Sequence, residues 1–162
     1  AAEERQLRST QSPLVPLVRQ IPSQAAHARR EYSTQIIGNI AAGSLAESDT
    51  VQSTIYMERP LGKNEYVVRV EGKSMEPLIP DGSLVIMRRH TAPPIPKPGT
   101  IVEYNDGRGV TLKKLIRRKN AETGKTEYVL QPINPDFKDI SPLDGGSISG
   151  IYMETLVNYR KG

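Results

Sequence analysis

"VRVEGKSMEPLIPDGSLVIM", residues 68–87, sets two β-branched runs on either side of a loop built from glycine, proline and polar residues. The longer runs "YVVRVEG" (66–72) and "SLVIMRRH" (83–90) read as strands, and "PDG" is the turn that launches the second. The loop between them carries Ser74. A serine there is held by rigid neighbours, and the Gly72-Lys73-Ser74 backbone is placed to aim N–H groups at a carbonyl oxygen. A serine between a glycine and a proline is also ordinary turn chemistry.

The same texture extends outward from this stretch. "GTIVEY" (99–104), "GVTLKKLIRR" (109–118), "TEYVLQPI" (126–133) and "SISGIYMETLVNY" (147–159) are β-branched and often alternating. Breakers such as "PPIPKPG", "NDGRG" and "LDGG" separate them. "YNDGRGV" is a hairpin turn, because Asn and Gly tolerate the positive φ such turns need. No long stretch has a 3.6-residue period, and there is no internal repeat. The expectation is an all-β domain of short strands over residues 36–162, highly twisted and partly closed. Residues 1–35 mix Ser, Gln, Pro and Arg without a period and read as a linker or extended arm, with "PLVPLV" (13–18) its one sticky patch.

Composition removes several function classes. The chain has 162 residues and no cysteine, which excludes disulfides, a thiol nucleophile and a thiolate metal site. That fits a reducing cytoplasm. No apolar run approaches the roughly 18–20 residues that span a bilayer, so no membrane association is expected. The net charge of +4 is divided evenly between residues 1–35 and the remainder, without the dense basic stripe of a nucleic-acid footprint. Seven Tyr, one Phe and no Trp make a poor base-stacking platform. His27 and His90, the only two histidines, read as solvated surface residues, and neither a metal site nor a cofactor is expected. The chain begins at Ala1 without an initiator methionine, so a preceding domain is expected to be missing.

A nucleophilic serine needs a base, and two histidines outside any motif give a Ser-His-Asp triad little support. A lysine serves when burial keeps its amine neutral near working pH. "GVTLKKLIRR" offers two, Lys113 and Lys114, which point to opposite faces of a strand. Val110 and Leu112 share a face with Lys114, Thr111 and Leu115 with Lys113. Both faces carry apolar residues, so parity does not choose between the lysines. A solvated basic edge is the plainer reading of either.

Taken together, these residues resemble the LexA/UmuD family of self-cleaving Ser-Lys proteins, of the peptidase S24 type. The resemblance rests on "VRVEGKSMEPLIPDGSLVIM", on "GVTLKKLI" with its first lysine 39 residues after Ser74, and on "YVLQPINPDFKDI" (128–140). It runs from about residue 37 to the C-terminus. In that family a G-x-S-M loop carries the nucleophile and the first lysine of a V-T-V-K-R-L-like strand is the base. The resemblance therefore implies Ser74 as nucleophile and Lys113 rather than Lys114 as general base. It also implies an oxyanion hole from the backbone N–H groups of Lys73 and Ser74, and it leaves Thr111 and Met75 as supporting residues.

"IGNIAAGSLAES" (37–48) then reads as the cleavage loop. LexA-like repressors are cut at an Ala-Gly bond upstream of the serine, and Ala42-Gly43 stands in that place. Small side chains on both sides let the backbone enter a tight cleft as an added strand. Ile37 and Ile40 are expected to anchor the approach, and Gly43 gives the bend room. The function implied is that of a LexA-like or prophage-type repressor's regulatory domain: a homodimer stimulated by a RecA-type filament in the DNA-damage response. In that family DNA is bound through a separate N-terminal helix-turn-helix domain, which residues 1–35 do not contain. A UmuD-like polymerase accessory protein is the alternative, favoured by the short arm and disfavoured by Ala-Gly. A signal-peptidase-like enzyme, which shares S-M-x-P, lacks its membrane anchor here. A non-cleaving dimerisation or sensor module of the same fold ranks low, because both reactive residues are present.

Overall fold

The β-branched runs pair into nine strands, with no helix among the described residues. The computed structural model describes residues 31–42, 53–91 and 93–162. In chain order the strands are β1 (Tyr32–Ala41), β2 (Ser53–Met57), β3 (Glu65–Glu71), β4 (Leu84–Arg89), β5 (Ile101–Asp106), β6 (Gly109–Lys119), β7 (Thr126–Gln131), β8 (Ser147–Thr155) and β9 (Tyr159–Lys161). The described residues are all-β, as the sequence pattern predicts. Most of the 1–35 arm and residues 43–48 of the expected cleavage loop lie outside the described residues. Tyr32–Gln35, read as the end of the arm, open β1. Ile37–Ala41, read as loop, complete it. The short β2 had no counterpart in the sequence reading.

The strands form one mixed sheet in the order β9-β2-β1-β3-β4-β8-β5-β6-β7. An additional pairing joins β1 to β6 through Ala41 and Thr111. That contact closes six strands, β1-β3-β4-β8-β5-β6, into a ring. The partial closure expected from the sequence is thus made at one place, by the C-terminal end of β1. On its other edge Ala41 pairs in parallel with Glu71 of β3. In the "YNDGRGV" hairpin Asp106 faces Gly109 across Gly107-Arg108, and the positive φ falls on Gly109, after the turn. The Asp106 carboxylate accepts the Arg108 N–H and guanidinium, and the latter bond holds its carboxyl well below the usual range.

The central strands are buried on both faces, so their side chains feed two clusters. Tyr66, Val68, Val70, Val85 and Met87 pack with Ile40, Ala42, Met75, Ile79 and Leu112. Val67, Leu84 and Ile86 pack with Ile36, Ile55 and Met57. Strand β1 contributes to both because its register against β3 shifts between Ile36 and Asn39. Such a bulge adds one residue and moves the following side chains to the other face. The inward residues of β1 are Ile36, Gly38, Ile40 and Ala42, whereas Ile37 is 40% exposed. The expected anchor Ile37 is therefore replaced by Ile36. The reason is the register shift that follows Ile36, which leaves Ile37 at the bulge and outside both clusters.

Candidate active site

Ser74 lies in the turn between β3 and β4. Gly72, at φ 110°, bends the chain off β3 in a conformation that side chains rarely adopt. Its N–H donates to Asp81 Oδ1 at 2.9 Å, which ties the two ends of the turn together. Within the turn the Glu76 N–H donates to Lys73 O (3.1 Å) and the Ile79 N–H to Met75 O (2.9 Å). Met75 and Ile79 are fully buried in the core, so the turn is pinned from below. Met75 acts here as packing. Ser74 itself has no exposed surface.

Lys113 is also fully buried, on the central part of β6. The neighbouring Lys114 is partly exposed, so the structure separates the two lysines that strand parity left equivalent. Lys113 Nζ lies 3.0 Å from Ser74 Oγ, 2.8 Å from Thr111 Oγ1 and 3.1 Å from Leu112 O. A neutral amine has two N–H donors and one lone pair. Thr111 Oγ1 and the Leu112 carbonyl accept the two donors, which leaves the lone pair for the Ser74 hydroxyl. Thr111 in turn donates its hydroxyl to Ala41 O at 3.1 Å. Among the described residues no carboxylate pairs with Lys113, and burial lowers its ammonium from 10.5 to about 8. Desolvation disfavours the charged form, so a useful fraction of the amine is neutral near pH 7.

Ala42 follows β1 directly and is fully buried. Its N–H donates to Glu71 O at 2.6 Å, and its carbonyl oxygen accepts the Ser74 N–H at 2.7 Å. The backbone of Ala42 is thus held from both ends against the turn that carries Ser74. Lys73, expected to give a second N–H to this oxygen, meets the site through its carbonyl instead, which accepts from Glu76 N and from Asn134 Nδ2 (3.0 Å). Gly43, the other half of the expected scissile bond, lies outside the described residues.

Ser74, Thr111, Lys113, Ala42 and the Ser74 amide are therefore brought together, with Met75 beneath them. Asn134 also belongs to the site, although the sequence reading assigned it no role. It was legible only as a turn residue before Pro135, and nothing in its spacing points to residue 74. Among the described residues no cluster of His, Cys, Asp or Glu is arranged to hold a metal ion. An arrangement of buried serine, buried lysine and an N–H on a carbonyl oxygen is equipped for acyl transfer from that carbonyl.

A family model described as Peptidase S24-like matches residues 35–149. No curated protein matches the chain.

Proposed function

The chain belongs to the Peptidase S24-like family, and we propose that it is a LexA-like regulatory domain that cuts its own backbone between Ala42 and Gly43. One observation carries the reading. Lys113 Nζ meets Ser74 Oγ at 3.0 Å while the Ser74 N–H meets the Ala42 carbonyl oxygen at 2.7 Å. Base, nucleophile and electrophile are linked in a single chain of contacts.

In the proposed mechanism neutral Lys113 takes the Ser74 hydroxyl proton, and Oγ attacks the Ala42 carbonyl carbon. The negative charge that develops on the Ala42 oxygen is held by the Ser74 N–H, already at hydrogen-bonding distance. The Ala42–Gly43 C–N bond then breaks, and the Lys113 ammonium returns its proton to the Gly43 nitrogen. Water attacks the resulting ester, gives a proton to Lys113 and restores the Ser74 hydroxyl. Thr111 keeps the amine aimed at Ser74 and at the same time grips the peptide before the cut. Docked β1 excludes water from Lys113, so substrate binding itself prepares the base.

The wider role follows from the resemblance. The domain forms a homodimer through its C-terminal half, where Met153 and Val157 are exposed (39% and 82%). A RecA-type filament stimulates cleavage by favouring the docked strand. DNA is bound through a separate N-terminal domain, in the cytoplasm. Among the described residues no helix is long and apolar enough to cross a membrane.

The test is intact mass after incubation at mildly alkaline pH. Fragments 1–42 and 43–162 are expected, and Ser74→Ala or Lys113→Ala should each leave the chain whole while Lys114→Ala cuts. An active Lys113→Ala variant would sink the assignment of the base. Sedimentation that finds only monomer at high micromolar concentration would sink the dimer.

A further inference from the structure

The Lys73–Ser74 peptide group is held at both ends. It is trans, so its C=O and N–H point in opposite directions from one rigid plane. The N–H end donates to Ala42 O at 2.7 Å, and the C=O end accepts Asn134 Nδ2 at 3.0 Å. The backbone N–H of Asn134 donates to Ser74 O at 2.9 Å, so the same residue also fixes the next carbonyl. Asn134 Oδ1 accepts the Asp136 N–H at 3.0 Å, which commits its NH2 group to the Lys73 side. The amide orientation is therefore set by the network rather than by choice.

From this we infer that Asn134 is a positioning residue for the oxyanion donor, acting through the Lys73–Ser74 peptide. The inference rests on the self-cleavage reading. A tilt of a rigid peptide plane moves both of its ends together, so a donor fixed at Lys73 O fixes the direction of the Ser74 N–H. The chain from Asn134 Nδ2 through this peptide to Ala42 O is also a run of aligned hydrogen bonds, in which each bond polarises the next. Its effect is largest when negative charge grows on the Ala42 oxygen. Asn134 hydrogen-bonds neither Lys113 Nζ nor Ser74 Oγ. It is half-buried, and the Glu76 N–H also holds Lys73 O, so the turn keeps its shape without the side chain.

Two variants separate donation from shape. Asn134→Ala removes the donor. Asn134→Asp keeps the size and the bond from Asp136 but presents an acceptor to Lys73 O. The first-order cleavage rate is measured across pH for both. Asn134→Ala should cut about tenfold to a hundredfold more slowly at the alkaline plateau, less than the ~10²–10³ lost when an oxyanion donor is deleted outright. The midpoint of its pH profile should stay where the unsubstituted chain has it, because the amine is untouched. Asn134→Asp should not restore the rate. In parallel, amide hydrogen exchange at position 74 is measured in the uncuttable Ser74→Ala chain, where Asn134→Ala should accelerate it while the amides of β3 and β6 stay protected. An unchanged plateau, recovery in Asn134→Asp, a loss that is wholly a shift of midpoint, or unchanged exchange at position 74 overturns the inference. If the unsubstituted chain never cuts, the self-cleavage reading falls, and the exchange measurement still decides whether Asn134 orients this peptide.

Discussion

Raising the pH from 7 to 10 should switch the cleavage on through one group. Burial brings the Lys113 ammonium from 10.5 to about 8. At that value about one amine in ten is neutral at pH 7 and about nine in ten at pH 9. An unshifted lysine would be neutral in fewer than about one chain in a thousand at pH 7. Only the neutral amine accepts the Ser74 proton, so the rate should climb about tenfold between pH 7 and 9 and then level off. The assay is loss of intact mass over time, with Ser74→Ala as the blank and circular dichroism to show that the fold persists. Because Ala42 and Ser74 belong to one chain, the rate should be first order and independent of protein concentration. A rate that is flat from pH 7 to 10, one that rises without levelling to a midpoint near 10.5, or one that scales with concentration would refute the reasoning. The first would remove the lysine as base, the second its burial, and the third the intramolecular geometry.

Three other outcomes follow from the same geometry. Thr111→Val keeps the shape but removes the hydroxyl between Lys113 Nζ and Ala41 O, and it should slow cleavage about tenfold, the equivalent of one hydrogen bond of about 1.5 kcal/mol. Ala42→Val forces two methyl groups into a site with no exposed surface, at a cost of about 1–3 kcal/mol; intact mass should show a chain that persists under conditions where the parent is cut. Introduced into the uncuttable Ser74→Ala chain, Lys113→Met should flatten the pH dependence of stability in urea. The folded parent carries a lowered ammonium, so between about pH 8 and 10.5 the unfolded chain binds more protons, and stability rises with pH by about 3 kcal/mol across that window. A Met variant whose urea midpoint still climbs over that range would assign the effect to another group.

Most of the strands were legible because a strand buried on one or both faces writes its period directly into the sequence. β3, β4, β5, β6 and β7 fall within a few residues of the β-branched runs. The candidate site was legible through the Ser74 turn and the Lys113 strand, since each of the two residues sits in a local pattern. What escaped depends on long-range register. The bulge in β1 decides that Ile36 rather than Ile37 faces inward, and a bulge is set by the partner strand. The face of β6 that becomes interior is decided by the closure at Ala41 and Thr111, so strand parity alone left Lys113 and Lys114 equivalent and only the resemblance chose Lys113. Asn134 meets Lys73 across 61 positions of sequence, and its place in "YVLQPINPDFKDI" does not announce that contact. The "STIYM" of β2 is too short to establish a period, and its place comes from its neighbours β1 and β9.

The strand that would be cut is also the stave that closes the ring, and on the self-cleavage reading this would make the reaction self-arresting. Scission at Ala42 leaves Ile36 and Ile40 buried, each worth about 1.5–3 kcal/mol of apolar contact, so the severed end has no reason to leave at once. The new carboxylate at Ala42 would then sit beside Lys113 and pull its proton affinity back up. With the ammonium restored, Ser74 has no base, and the spent pocket is blocked to any other peptide. On the self-cleavage reading such a molecule would be a fuse rather than a catalyst, cut once and then inactive. Fragments 1–42 and 43–162 should co-elute in native gel filtration and separate only in denaturant.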